Sequence, residues 1–343
     1  MDKGNLIKSG EQKMVKKASI KDVALLSGVS ITTVSQIING KGHRFSKATI
    51  DKVLQARDEL GYVPNHAARS LKSKTTILIG VIVPSFRLPF FADLIQSMET
   101  HAPSSVRMVF LSSPDNHLEN TIHSLVERGV DALIFGRQFP NDKAIAQLLS
   151  KQNIPYLVLD QNNDEAARDK IIVDEFQGGS LVADHFVTLG HQKIAMVLPE
   201  MLTQNMLERQ DGFLATLQKY DVNPIILTAE KLSKHGGFRM SQSVIDSQVT
   251  AVFAFNDEMA MGLMRGLVNL GMTIPGDISI AGYDDADYAE FFIPTLTTVT
   301  QPVFEIGSAV LSLILNRLKF PQSPPQIQKF QLKLVAREST RKI

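Results

Sequence analysis

The sequence predicts an α/β protein: a small all-helical module at the front, then a larger body of parallel sheet covered by helices. Three observations predict it. Between Ser19 and Asn39 two short helical patterns meet at Gly28. From Thr76 onward, apolar strand-like runs alternate with helical patterns, the order that yields parallel sheets with helices on both faces. The charge also changes sign between the two parts. Residues 1–76 hold 14 Lys and Arg against 6 Asp and Glu, a formal +8; the remainder holds 22 against 29, or −7.

A chain of 343 residues is long enough for two or three domains and a large core. It contains no Cys, so disulfides and Cys-ligated metals are excluded, in keeping with a reducing compartment such as a cytoplasm. No stretch reaches the roughly 18 apolar residues of a membrane span. Residues 1–18 are polar and Lys-rich without an apolar core, which is not the pattern of a secretory signal. They read as a mobile basic arm or an expression leader.

The helical module is justified residue by residue. Ser19 is a suitable N-cap, and Asp22 places its charge at a helix N-terminus. Val23, Ala24 and Leu26 give the first helix an apolar side. Gly28 can take the backbone conformation that ends a helix. Ser30 can cap a second helix in which Val34, Ile37 and Ile38 recur at helical spacing. Its outward residues are Ile31, Thr32, Thr33, Ser35 and Gln36, short or uncharged groups that can approach base edges closely. Ser46 caps a third helix whose Ile50, Val53, Leu54 and Leu60 cover the first two. An ordinary helical hairpin would show the same caps. A basic first domain could also meet RNA or a membrane; the helix-turn-helix pattern favours duplex DNA.

From about Ile20 to Leu71 the chain resembles the DNA-binding headpiece of the lactose-repressor (LacI/GalR) family of bacterial transcription regulators. The residues that carry it are Asp22-Val23-Ala24, Gly28-Val29-Ser30, Thr33-Val34-Ser35, Asn39, Leu60-Gly61-Tyr62, Pro64-Asn65 and Ala68-Arg69-Ser70-Leu71. The resemblance implies a helix-turn-helix domain at 19–63 and a hinge helix with linker at 64–75. It implies DNA contacts from Ser30, Ile31, Thr32, Thr33, Ser35, Gln36 and Asn39, and from Asn65 and Arg69, with Leu71 wedged into the minor groove. Arg44 lies beyond the second helix and is assigned to phosphate, as is Lys41. Gln36 stands where many members have Arg, so its base preference is not transferable.

In the body of the chain, strands are expected at 77–84, 108–111, 132–135, 156–159, 171–173, 194–198, 225–227, 251–254 and 278–281. Ligands of open α/β sheets bind beyond the carboxyl ends of strands. Polar residues stand there repeatedly: Ser85, Asp160, Asp174, Asn256-Asp257 and Asp284-Asp285. Each alone is more often a helix cap; the recurrence is what points to a site. Arg209 and Gln301 lie in polar contexts farther along. Asp284, following the run that ends at Ala281, is expected at the open cleft end of its strand. His191 reads as structural.

The resemblance covers this part too, through Gly178-Gly179, Leu189-Gly190-His191, Arg209 with Gly212-Phe213, Asn256-Asp257-Glu258-Met259-Ala260, Gly282-Tyr283-Asp284-Asp285, Leu296-Thr297-Thr298-Val299 and Gln301-Pro302. It implies a core at 76–343 similar to periplasmic binding proteins, made of two Rossmann-like subdomains. One is expected at about 76–190 and 303–330, the other at about 191–302 and 331–343. Arg209, Asn256, Asp284 and Gln301 match effector-contacting positions of sugar-responsive members. Ser85, Phe90 and Asp160 are added as lining residues. Arg and Asn can fork onto paired hydroxyls, and a carboxylate can accept from two. Phe90 or Phe91 can stack on a sugar ring or simply belong to the core. No leucine heptads follow Ser339, so a homodimer is expected rather than a tetramer.

The reading is therefore a repressor of a carbohydrate operon, bound as a homodimer to pseudo-palindromic double-stranded operator DNA and controlled by a small sugar-like effector. The alternative is a purine-responsive regulator of the same family. No cofactor, metal or membrane partner is called for. A sugar-transport receptor would need a signal peptide and no basic headpiece. Nothing in the residues calls for an enzyme: no G-x-S-x-G, P-loop, dinucleotide fingerprint after a strand or metal-spaced His pair is present.

Overall fold

The computed structural model describes residues 19–38, 42–60, 76–113, 117–137, 143–159 and 169–343. The arm at 1–18, the hinge at 64–75, and Asn39, Lys41, Asn65, Arg69, Leu71 and Asp160 lie outside the described residues. Contacts divide the chain into two compact units, Met1–Thr75 and Thr76–Ile343.

The first unit is built on helices α1 (Ile20–Ser27), α2 (Ile31–Ile38) and α3 (Lys47–Glu59), with a 3-10 turn at Gly42–Arg44 between the last two. The Asp22 carboxylate accepts from the Ser19 backbone N–H at 2.7 Å and the Ser19 hydroxyl at 2.6 Å, tying off the start of α1. Gly28 ends it at φ 69°, a left-handed conformation that a side chain would strain. Val23, Ala24, Val34, Ile37, Val53 and Ala56 form the buried core, with Ile20, Val29, Ile38, Ile50, Leu54 and Leu60 packed around it. Leu26 is a correction: it is 48% exposed. The inward stripe of α1 runs through Ile20, Val23, Ala24 and Ser27, at helical spacing, which leaves Leu25 and Leu26 on the outer side.

The second unit alternates strand and helix. Its first part runs β1 (Ile77–Val83), α4 (Pro89–His101), β2 (Val106–Ser112), α5 (Leu118–Glu127), β3 (Ala132–Phe135), α6 (Lys143–Lys151), β4 (Tyr156–Leu159) and β5 (Lys170–Val173). Next come α7 (Glu175–Thr188), β6 (Ile194–Pro199), α8 (Gln204–Lys219), β7 (Ile225–Ala229), α9 (Lys234–Arg239), α10 (Ser241–Asp246), β8 (Ala251–Ala254), α11 (Asp257–Asn269) and β9 (Ser279–Ala281). The chain closes with β10 (Thr298–Thr300), α12 (Val303–Lys319), β11 (Ile327–Phe330) and β12 (Lys333–Val335).

Two parallel sheets result: a six-stranded one in the order β11-β5-β4-β3-β1-β2 and a four-stranded one in the order β7-β6-β8-β9. Strands β1, β3, β6 and β8 are nearly all buried, which is why they read as continuous apolar runs rather than alternating ones. A short antiparallel pair, β10 with β12, is formed by two of the chain segments outside those sheets. Helix α12 packs on α4 and carries the chain back to the first sheet, where β11 pairs with β5.

Helix α7 packs on α8 and on β12 and β10. The chain therefore leaves the first sheet at Asp174, ahead of α7, and not near 190. The reason is steric. A Cβ on Gly179 would collide with the Arg209 carbonyl, and one on Gly212 with the Phe176 carbonyl. Glycine at both positions lets the two helix backbones meet directly. The sequence reading also overlooked β10, β11 and β12, which are short and carry no alternating pattern long enough to mark them.

Candidate functional site

In the first unit, α2 exposes Ile31 and Thr32, with Thr33, Ser35 and Gln36 half-buried at its sides. Ser30 caps the helix: its hydroxyl accepts from the Thr33 backbone N–H at 3.1 Å and contacts the Thr33 hydroxyl at 2.9 Å. Both hydroxyls are thus already engaged in holding the helix start. Val34 and Ile37 anchor the opposite side in the core, so α2 presents one uncharged face on a fixed base. Arg44 is exposed in the 3-10 turn that follows. That division, short uncharged groups on a helix and a cation on the adjoining turn, suits base edges for the first and phosphate for the second.

In the second unit, the chain segments that pass between the sheets gather a polar cluster. Arg209 on α8 is only 4% exposed. Its Nε meets the Glu175 carboxylate at 2.9 Å, and its Nη1 donates to the Phe255 carbonyl at 2.7 Å. The guanidinium lies 3.4 Å above the centre of the Tyr283 ring and 5.2 Å from that of Phe255. The Tyr283 hydroxyl donates to the same Glu175 oxygen at 2.6 Å. Burial works against the charge on Arg209, and the Glu175 carboxylate more than offsets it, so the guanidinium holds its proton more tightly than usual.

Asp284 stands next to Tyr283, with φ at 104°, outside the usual range for a non-glycine residue. Its backbone N–H donates to the Val299 carbonyl, and its carboxylate accepts from the Gln301 side-chain nitrogen at 2.8 Å. It is half-buried rather than open to solvent as the sequence suggested. The segment after β9 runs parallel to the β10 segment, with Asp284 bridged to Thr300, which brings the Gln301 amide onto the carboxylate. Burial pushes the Asp284 carboxyl up to about 6, against the pull of Arg209 and Gln301. Asp285 turns the other way, onto Arg337 at 2.8 Å.

The remaining expected residues divide. Asn256 is buried, but its side-chain oxygen accepts from the Met259 N–H at 2.9 Å and caps α11. Asp257 accepts from the Thr298 hydroxyl at 2.6 Å and the Ala286 N–H at 2.8 Å. Burial first, then Asp284, push its carboxyl well up. Ser85 follows β1 and accepts from the Arg87 N–H at 3.1 Å. Phe90 opens α4 and meets Phe91 edge to face at 5.1 Å. Asp93 on that helix has its carboxyl pushed up by burial first and then by Asp287, which lies in the 3-10 turn Asp287–Phe291. His191 is buried between the Thr250 hydroxyl and the Arg341 carbonyl, a structural role.

Arg209, Asp284 and Gln301 therefore come together, with Asn256 beside the Phe255 that Arg209 touches. Ser85 and Phe90 stand on the first lobe. Sequence reasoning missed Glu175, Tyr283 and Tyr288. A Glu after an N-cap Asp reads as an ordinary helix start. Tyr283 and Tyr288 sit among acidic residues that drew the attention. Among the described residues, three buried polar atoms of this region lack a partner: Glu175 Oε1, Tyr288 Oη and Gln301 Oε1. Among the described residues no group of His, Cys, Asp and Glu is arranged to hold a metal.

A helix-turn-helix unit joined to a two-lobed core of this kind defines a DNA-binding transcriptional regulator. The profile described as bacterial regulatory proteins, lacI family, matches residues 19–65, and that of a periplasmic binding protein-like domain matches 183–340. The chain belongs to the lacI family. It is 34% identical to the HTH-type transcriptional repressor PurR of Vibrio vulnificus over 337 residues, 95% of this chain and 99% of that one. Among solved structures, the LacI family transcriptional regulator from Enterococcus faecium with bound ribose is 36% identical, with TM-score 0.73, covering 78% of this chain and 99% of that one. The lac repressor dimer bound to operator and the anti-inducer ONPF is 30% identical, with TM-score 0.74, covering 95% and 100%. These relatives are transcriptional regulators, not enzymes. No helix among the described residues is long and apolar enough to cross a membrane.

Proposed function

We propose that this chain is a homodimeric repressor whose hold on its operator is set by a neutral, hydroxyl-rich effector, a ribose-like pentose. One observation carries the choice of effector: close to Asp284, Gln301 and Tyr288 hold buried polar atoms without a partner among the described residues. The Gln301 nitrogen is committed to Asp284, its oxygen is buried without a partner, and so is the Tyr288 oxygen. The Gln301 oxygen calls for a donor from a ligand, and the Tyr288 hydroxyl for an acceptor or a donor. A pentose brings on nearly every carbon a hydroxyl that both donates and accepts, so each such group can meet either need; a purine holds its donors and acceptors at fixed, separate ring positions. The ribose-bound relative from Enterococcus faecium supports the same reading.

A purine effector is the second reading. Curated relatives at 32–34% identity over most of this chain are named PurR, which favours it over a general carbohydrate-operon repressor. The remaining assignments are part of the same proposal: Ser85, Phe90 and Asp160 on the other wall, and Asn39, Asn65, Arg69 and Leu71 on DNA. A thermal-shift titration of the full chain with ribose, hypoxanthine and guanine separates the two. A ligand that binds only the folded state raises the transition, by an amount that grows with the logarithm of its concentration over its dissociation constant. Stabilisation by a purine with none from ribose would replace the pentose reading. Operator binding should disappear from the fragment starting at Thr76; its retention in a gel shift would remove the headpiece assignment.

A further inference from the structure

Glu175 is 1% exposed and Arg209 is 4% exposed, and the two meet at 2.9 Å. A guanidinium taken out of water without a counter-ion is strongly unfavourable, so Glu175 is what permits Arg209 to lie at this depth. The pairing has a second consequence. The positive charge is cancelled before any ligand arrives. Asp284 acts on Arg209 with the same sign as Glu175, and Asp284 in turn feels Glu175 and Glu258 as like charges. Glu258 is itself paired with Lys234 at 2.9 Å. The second-lobe wall is therefore negative on balance, although an arginine stands at its centre.

We propose that Glu175 is a specificity-determining residue of the ligand site. By cancelling the Arg209 charge it makes the site take neutral molecules and refuse their phosphorylated counterparts. The inference rests on the reading that Arg209 belongs to the ligand site. A purely structural Glu175 would pin α7 to α8 and leave ligand charge indifferent. The two roles separate in Glu175→Gln. The amide oxygen can still accept from Arg209 and Tyr283, while the negative charge is gone.

The test uses the full chain, as parent, Glu175→Gln and Glu175→Asp, in thermal-shift titrations. The probes are inorganic phosphate against chloride at matched ionic strength, and ribose against ribose 5-phosphate. Phosphate affinity is expected to rise at least tenfold in Glu175→Gln relative to the parent, with no such gain in Glu175→Asp, which keeps the charge. The headpiece is the same in all three and cancels in the comparison. The preference for ribose over ribose 5-phosphate should be about a hundredfold in the parent and shrink at least tenfold in Glu175→Gln. Equal phosphate affinity in the parent and Glu175→Gln would overturn the proposal. If Glu175→Gln lacks a cooperative transition, the parent decides, and ribose 5-phosphate bound as tightly as ribose overturns it. The phosphate arm does not depend on ribose being the effector. A phosphate gain without any ribose binding would retire the pentose reading and leave the role of Glu175 standing.

Discussion

Gln301 donates its side-chain nitrogen to the Asp284 carboxylate at 2.8 Å and keeps its own oxygen buried without a partner. The pair is half of a hydrogen-bonding arrangement that a ligand would complete. Asp284→Ala removes the carboxylate and frees the Gln301 nitrogen as well. Losing a charged contact of this kind costs about 1.5–3 kcal/mol, at least tenfold in effector affinity. Operator binding without effector should persist, because the headpiece is a separate unit. Operator gel shifts with and without effector check this, and an unchanged effector response in Asp284→Ala would remove the residue from the site.

The same carboxylate sets a pH dependence. Burial raises the Asp284 carboxyl from 3.8 to about 6 in the folded chain. Between those values the folded state holds a proton that the unfolded chain has released. The stability contributed by this group is therefore greatest below the lower value and falls as pH rises through about 6. Hydroxyls donating to the carboxylate select its ionised form, so effector affinity should rise with pH through the same range. Subtracting Asp284→Asn from the parent, in denaturant melts and effector titrations from pH 4 to 8, cancels the other carboxylates. A difference in melts that slopes the opposite way would contradict the assignment.

The close approach of α7 and α8 is the lever on which the cluster turns. Gly179 faces the Arg209 carbonyl, and Gly178 faces the Tyr283 hydroxyl and Leu332. Gly179→Ala must push the helices apart, and with them Glu175 and Arg209. Overpacking of this sort typically destabilises by roughly 1–3 kcal/mol. Effector affinity should fall more than Gly129→Ala reduces it. Gly129 lies at φ 75° with nothing near its missing Cβ, so its substitution strains only a turn. Equal effector losses in the two variants would mean that helix spacing does not position the site.

Much of this architecture is legible in the residues because it rests on local rules. The caps at Ser19, Ser30 and Ser46, the left-handed Gly28 and the buried apolar runs of β1, β3 and β8 all announce themselves. What was missed depends on partners distant in sequence. Glu175 and Tyr283 are 108 positions apart, and nothing local marks either as one end of a buried hydrogen bond. The crossing at Asp174 was misplaced for the same reason. Two glycines can bring helices together, but their sequence does not say which helices. Asn256 shows the opposite limit: a polar residue after a strand serves as a cap, and its oxygen is committed before any ligand is considered.

The headpiece yields the last prediction. Gln36 lies on α2, half-buried at the side of a helix anchored by Val34 and Ile37. Arg44 is exposed on the turn beyond. An amide offers a donor and an acceptor together, the pair needed for bidentate reading of an adenine edge. A guanidinium on a turn offers charge without a fixed approach to any base and serves to neutralise phosphate. Gln36→Ala should therefore relax preference at one position of each half-site, by about 1–3 kcal/mol of discrimination. Its salt dependence should match the parent. Arg44→Ala should weaken binding to every sequence alike and lower the slope of log affinity against log salt by about one unit. Selection from a randomised duplex library, followed by salt titration of the selected and scrambled sites, measures both. If Gln36→Ala lost affinity uniformly while Arg44→Ala changed the selected sequence, the two roles would be exchanged. That result would place the 3-10 turn, rather than α2, against the bases.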